Sequence, residues 1–134
     1  MISMPFILLL MFFMHIVDDY YLQGILASMK QKSWWEKQDN YSDKYKNDYK
    51  VALIMHAFSW AFCIMLPIAI QLRFQIDMLF ISVFVSNFIC HAIVDNMKAN
   101  QKCINLVMDQ SLHIIQICMT FLIFFHPMQM VVAS

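Results

Sequence analysis

The sequence predicts an all-α polytopic membrane protein: a bundle of four transmembrane helices with a cytoplasmic amphipathic loop or helix between the first and second. Three observations lead there. Hydrophobic residues make up 61% of the 134 positions. The chain has a single glycine and no alternating polar–apolar period, a poor match to a closed β-barrel, so helices are left as the spanning element. Ten of its eighteen charged residues crowd between Lys30 and Lys50, whereas a soluble domain carries charge over its whole surface. The same figures exclude disorder and collagen-like repeats. The zero net charge excludes a nucleic-acid binder driven by positive charge, and no nucleic-acid partner is expected. Cys63, Cys90, Cys103 and Cys118 form no C-x-x-C pair, and three of them lie in apolar stretches, where cysteine acts as a small hydrophobe.

Crossing the hydrocarbon takes about 20 mostly apolar residues per helix. One domain over residues 1–134 accommodates four such stretches, at about 2–23, 51–71, 77–95 and 104–126. The first has no Lys or Arg ahead of its apolar run and no small-residue cleavage site after it, so it reads as a retained helix and not as a signal peptide. The second is free of Asp, Glu, Lys and Arg, the third is free of them from Met78 to Val94, and the fourth is interrupted once, by Asp109.

The connections fix the orientation. Residues 28–50 carry six lysines, the third connection carries Lys98 and Lys102, and the tight second one holds Arg73 and Asp77. Connections one and three share a side, so the Lys/Arg count is eight against one. The positive-inside rule puts those two loops in the cytoplasm and both termini outside, as expected of an inner-membrane protein. Trp34, Trp35, Tyr41, Tyr45 and Tyr49 are mixed with the lysines of loop 28–50. Such a mixture suits the headgroup region, so part of the loop is expected to lie along the inner surface as a helix. It reads equally as a solvated, anchored connection or as a substrate lid.

Polar residues inside apolar helices need a reason, because a charge at the middle of a membrane helix costs about 2.5–3.5 kcal/mol on insertion scales. On the first helix His15, Asp19 and Gln23 step by four and form one stripe, with Asp18 flanking it. His56 stands alone on the second. Asn87, His91 and Asp95 step by four on the third, with Lys98 beyond. Asn105, Asp109 and His113 repeat the step on the fourth, followed by Gln116. Given the orientation, all four stripes fall in the same half of the bilayer, on the order of 5–15 Å below the cytoplasmic surface at 1.5 Å rise per residue. Turning them inward creates a polar cavity open to the cytosol. His126 and Asp77 lie outside this layer.

Imidazole and carboxylate together suit a divalent metal such as zinc, manganese or iron. The candidate ligands are His15, Asp19, His56, His91, Asp95, Asp109 and His113, since donors at i and i+4 present either two ligands or a ligand and its supporting carboxylate. His15, Asp19, His56 and Lys98 are the candidate catalytic groups: His or Asp must supply any general base, because Glu36 in the loop is the only glutamate. Lys98 is suited to stabilising a phosphate or developing anion at the cavity mouth. Two blander readings stay open, hydrogen bonding between helices and an ion or proton path. The sequence has no glycine-rich phosphate loop, no H-E-x-x-H and no G-x-S-x-G elbow.

The motifs, in order, are His15–Asp19–Tyr20–Gln23, a lone His56, His91–Asp95–Lys98 and Asp109–Gln110–His113. This order resembles a family of small bacterial and phage integral membrane proteins known as domain of unknown function 3307. The resemblance covers nearly the whole chain and implies a polytopic membrane protein; it offers no reaction. The layer is also similar, as a site, to the His/Asp layers of membrane-embedded metal-dependent hydrolases.

The leading expectation is therefore a divalent-metal site in the cytoplasmic half of the bilayer, with hydrolysis at a phosphoester or amide bond of a lipid-linked or amphiphilic substrate if the site is catalytic. The alternative is a non-enzymatic transporter, channel or membrane-active effector that uses the layer as a path. A third reading gives the function to the lysine- and aromatic-rich loop through a partner. Membrane lipids are the expected surroundings, and homo-oligomers are compatible with so small a chain.

Overall fold

The structure, a computed structural model, describes residues 2–132, with side chains described through residue 125. Among the described residues the regular structure is all helical. Helix α1 (Met4–Ile16) carries Pro5 in its first turn, where a missing N–H costs no helical hydrogen bond, and it runs on into a π turn over Val17–Leu22. Two short helices follow, α2 (Leu26–Met29) and α3 (Lys32–Glu36), then a 3-10 turn over Asp43–Tyr45. The long helices α4 (Asp48–Gln71), α5 (Met78–Asn96) and α6 (Leu106–Val132) complete the chain, with a second π turn over Met97–Gln101 after α5.

Four helical stretches are long and apolar enough to cross a membrane: Met4–Leu22, Asp43–Gln71, Met78–Gln101 and Leu106–Phe125. They coincide with the four expected ones. Helix α4 starts earlier than expected, at Asp48, and α6 starts at Leu106 after Asn105 accepts the N–H of Met108 at 2.9 Å. Asp77 similarly caps α5 by accepting from Phe80 N at 2.8 Å. The turn between α4 and α5 is tight because Arg73 and Phe74 both take left-handed backbone, φ 52° and 57°, which brings Phe74 N to Ala69 O at 2.8 Å. The lone glycine, Gly24, has φ +49° at the bend between the first π turn and α2, a conformation that other residues adopt only under strain.

Helix α4 is central, packed against α1 and α5, and α6 closes the bundle against the same two. Its buried small residues Ala52, Ala57, Ala61 and Ala69 let neighbouring helices come close. All four helices turn large apolar side chains outward, among them Leu9, Phe13, Phe58, Ile89 and Leu122. One half of the interior is an apolar cluster built on Ile7, Met11, Ile64, Ile68, Phe80 and Phe125. The other half is polar. It lies where α1 and α5 end and where α4 and α6 begin.

That end of the bundle is not the open polar cavity expected from the sequence. The first connection covers it: Lys30 pairs with Asp95, Lys32 N donates to Asn100 Oδ1 at 2.7 Å, and Asn100 Nδ2 donates back to Lys30 O at 3.1 Å. The cause is electrostatic. A buried carboxylate needs a cation, and Lys30 at the end of α2 supplies it to Asp95. Of the two readings of loop 28–50, its first part is thus a tied cover.

Candidate metal centre

Helix geometry puts the donors in place. His91 and Asp95 stand one turn apart on α5, and Asp109 and His113 stand one turn apart on α6, so each pair shares an inward face. His56 enters from α4. Asp19 comes from the π turn after α1, closed by Gln23 N donating to Asp18 O at 3.0 Å. A π turn is wider than an α turn and rotates less per residue, so the neighbours Asp18 and Asp19 both point inward. Asp18, His56, His91, Asp95, Asp109 and His113 are all buried, and the Asp19 side chain is 9% exposed.

The centre of the layer is His56 Nε2. It lies 3.1 Å from His91 Nε2, 3.3 Å from Asp95 Oδ2 and 3.4 Å from Asp19 Oδ1, while His91 Nε2 lies 3.7 Å from Asp95 Oδ2. These spacings have a chemical meaning. Four donors placed about 2.0–2.1 Å from one ion at tetrahedral angles are separated from each other by about 3.3–3.4 Å. His56 Nε2 thus has donors from two other helical segments at the edge lengths of a coordination polyhedron. Asp95 also faces a further set: His113 Nε2 is 3.5 Å from Asp95 Oδ1 and 3.5 Å from Asp109 Oδ1. The groups Asp19, His56, His91 and His91, Asp95, His113 can each hold a metal ion.

The surroundings match that chemistry. His56 turns Nδ1 to Asp18 Oδ2 at 3.4 Å, and Asp18 Oδ1 is held by the Ser59 hydroxyl at 2.5 Å and by Cys63 Sγ at 3.7 Å. A carboxylate behind an imidazole is the usual support of a metal-bound histidine; here Asp18 Oδ2 stands behind His56 Nδ1 without a hydrogen bond. Asp18 Oδ2, Asp19 Oδ1, Asp109 Oδ1, His91 Nδ1 and both ring nitrogens of His113 are buried and make no hydrogen bond. Buried polar atoms are nearly always satisfied, and a cation among these side chains would take up Asp19 Oδ1, Asp109 Oδ1 and His113 Nε2.

His15 stands apart from the other histidines. Its Nδ1 accepts the indole N–H of Trp60 at 2.8 Å, and its Nε2 faces Gln110 Oε1 at 3.2 Å. With both nitrogens engaged it braces the layer. Its contact with Asp19 Oδ2, 3.5 Å, is a side contact of that arrangement. Gln110 Nε2 in turn donates to Asp109 Oδ2 at 3.0 Å and approaches Asp19 Oδ2 at 3.4 Å. Lys98, expected at a cavity mouth, donates to Asp109 Oδ2 at 2.7 Å and remains about one-third exposed. Gln23 donates its amide to His56 Nε2 at 2.8 Å.

One turn further into the bundle Asn87 forms a separate polar knot. Its Nδ2 donates to Thr120 Oγ1 at 2.9 Å, and its Oδ1 accepts from Gln116 Nε2 at 2.8 Å. Asn105 belongs to the cap of α6 and not to the layer. His126 lies outside the residues whose side chains are described.

Several contributors were not singled out from the sequence. By α-helical spacing Asp18 only flanks the stripe; the π turn brings it in. Lys30 was one lysine among six. Trp60 carried a usable signal, since it follows His56 by four residues on the same face, but indoles in apolar helices are common core residues. It stacks on His91 with ring centroids 4.2 Å apart.

Comparison of the chain with family models, with curated proteins and with solved structures finds no match.

Proposed function

We propose that this chain is an integral protein of the inner membrane whose buried His/Asp layer binds a divalent transition metal in the cytoplasmic half of the bilayer and serves a metal-dependent hydrolase. In this reading both termini are outside, the lysine-rich loops are cytoplasmic, and the chain is a relative of the domain of unknown function 3307 proteins. One observation carries the proposal: His91 Nε2, Asp95 Oδ2 and Asp19 Oδ1 stand 3.1–3.4 Å from His56 Nε2, close to the separations expected between ligands of a single ion. The carboxylate behind His56 and the unmet lone pairs of Asp19, Asp109 and His113 support it.

A bound divalent ion supplies an acidified water and polarises the bond to be cut. The chain's own residues do the rest. Asp18 stands behind His56, Trp60 and Gln110 hold His15, and Lys98 keeps a cation at the rim. An amphiphilic substrate fits a groove of about 730 Å³ between α1 and α6, lined by Phe12, Ile16, Tyr20 and Ile114 together with His15 and Gln110. An acyl chain would lie against the apolar wall, and the scissile phosphoester or amide would reach toward the polar residues. The polar contacts extend inward as far as Asn87 and Thr120 and then meet the apolar cluster of Ile64, Ile68 and Phe125, which favours a site over a transmembrane path.

Elemental analysis of the protein purified in mild detergent tests the reading. Stoichiometric zinc, manganese or iron is expected, lost when His56 and His91 are both replaced by alanine and reduced in His113→Ala. Trace metal only, the same in the parent chain and both variants, would remove it.

A further inference from the structure

We infer that the layer is built for a pair of divalent ions bridged by Asp95, an inference that rests on reading the layer as a metal centre. The two oxygens of this one carboxylate face different donor sets. Oδ2 faces His56 Nε2 at 3.3 Å and His91 Nε2 at 3.7 Å, with Asp19 Oδ1 a further 3.4 Å from His56 Nε2. Oδ1 faces His113 Nε2 at 3.5 Å, which lies 3.5 Å from Asp109 Oδ1. The His91 and His113 rings are stacked with centroids 4.3 Å apart and planes 28° from parallel, each turning Nε2 toward its own oxygen of Asp95. Two-metal centres hold their ions about 3.5–4 Å apart, close to the separation of a stacked imidazole pair.

Each of the two donor sets holds its own ammonium, Lys30 on Asp95 Oδ2 in the first and Lys98 on Asp109 Oδ2 in the second, so a cation is drawn to each of the two positions. Both sets also contain buried atoms with no hydrogen bond, Asp19 Oδ1 in the first and Asp109 Oδ1 with His113 Nε2 in the second. A layer serving one ion would need only the first set.

Titration of the chelator-stripped, full-length protein with Mn²⁺ in detergent tests this, read by bound Mn²⁺ per chain and by electron paramagnetic resonance. The expected result is two ions per chain with the spectrum of an exchange-coupled pair. Asp109→Asn and His113→Ala should each reduce this to one uncoupled ion. The coupled spectrum is read on the unaltered chain, so the test survives a variant that fails to fold. Saturation at one Mn²⁺, or two ions without coupling, overturns the pair and leaves the single-metal reading standing; no bound Mn²⁺ removes both.

Discussion

The indole N–H of Trp60 donates to Nδ1 of His15 at 2.8 Å. An indole only donates, so that nitrogen carries no proton and the ring proton sits on Nε2, where Gln110 Oε1 accepts it at 3.2 Å. The tautomer, assigned from this network, sets the Gln110 amide as well: its nitrogen is left to face Asp109 and Asp19. One side chain on α4 thereby fixes orientations on α1 and α6, in a region where every misaligned polar group is expensive.

Trp60→Phe keeps a ring over His91 and removes the donor, leaving His15 Nδ1 buried and unpaired. Thermal unfolding in detergent should show a loss of about 1–3 kcal/mol. Trp60→Ala should lose more, about 3–5 kcal/mol, because it also opens a cavity. An unchanged midpoint for Trp60→Phe contradicts the assigned role.

Asp18→Asn weakens the hold on His56 without removing any donor from the layer. Metal affinity, measured by competition with a chelating dye, should fall about 10–100-fold while the number of ions at saturation stays the same. A change in that number, or no change in affinity, would place Asp18 outside the support of the site.

Lys30 and Asp95 form a pair whose side chains are 12% and 4% exposed. Lys30→Met leaves the carboxylate alone, so the chelator-stripped protein should lose about 3–5 kcal/mol of stability. The same substitution removes a competitor for Asp95. Added metal should therefore bind more tightly than to the parent chain and restore most of the lost stability. Equal losses with and without metal would show that Lys30 and the ion do not compete.

Asn87→Ala breaks the knot with Thr120 and Gln116, one turn away from His91. It should cost about 1–3 kcal/mol in thermal unfolding, with metal content and affinity unaltered. Loss of metal in this variant would mean that the two polar layers act as one.

The membrane arrangement is tested by labelling single cysteines in cells, after replacing Cys63, Cys90 and Cys118. Native Cys103 and a cysteine at Asn40 should react from the same side, and Arg73→Cys from the other. Reaction of all three from one side would remove the proposed topology.

Much of this protein is local information. The length of each apolar stretch fixes four long helices, and a four-residue step fixes that His91 shares a face with Asp95 and Asp109 with His113, because both depend only on rise and rotation along one helix. Those features are legible without a fold. His15 shows the limit: by spacing it is equivalent to His91, and only the arrival of Trp60 and Gln110 from other helices engages both of its ring nitrogens.

The sequence by itself determined which helices exist and which of their faces are polar. The tertiary structure alone decided that a π turn brings in Asp18, that Lys30 crosses to Asp95, and that the two oxygens of Asp95 look toward different histidines. Each of these depends on how helices are rotated and set against one another, and on charges that pair across more than sixty residues of chain only once the bundle has closed.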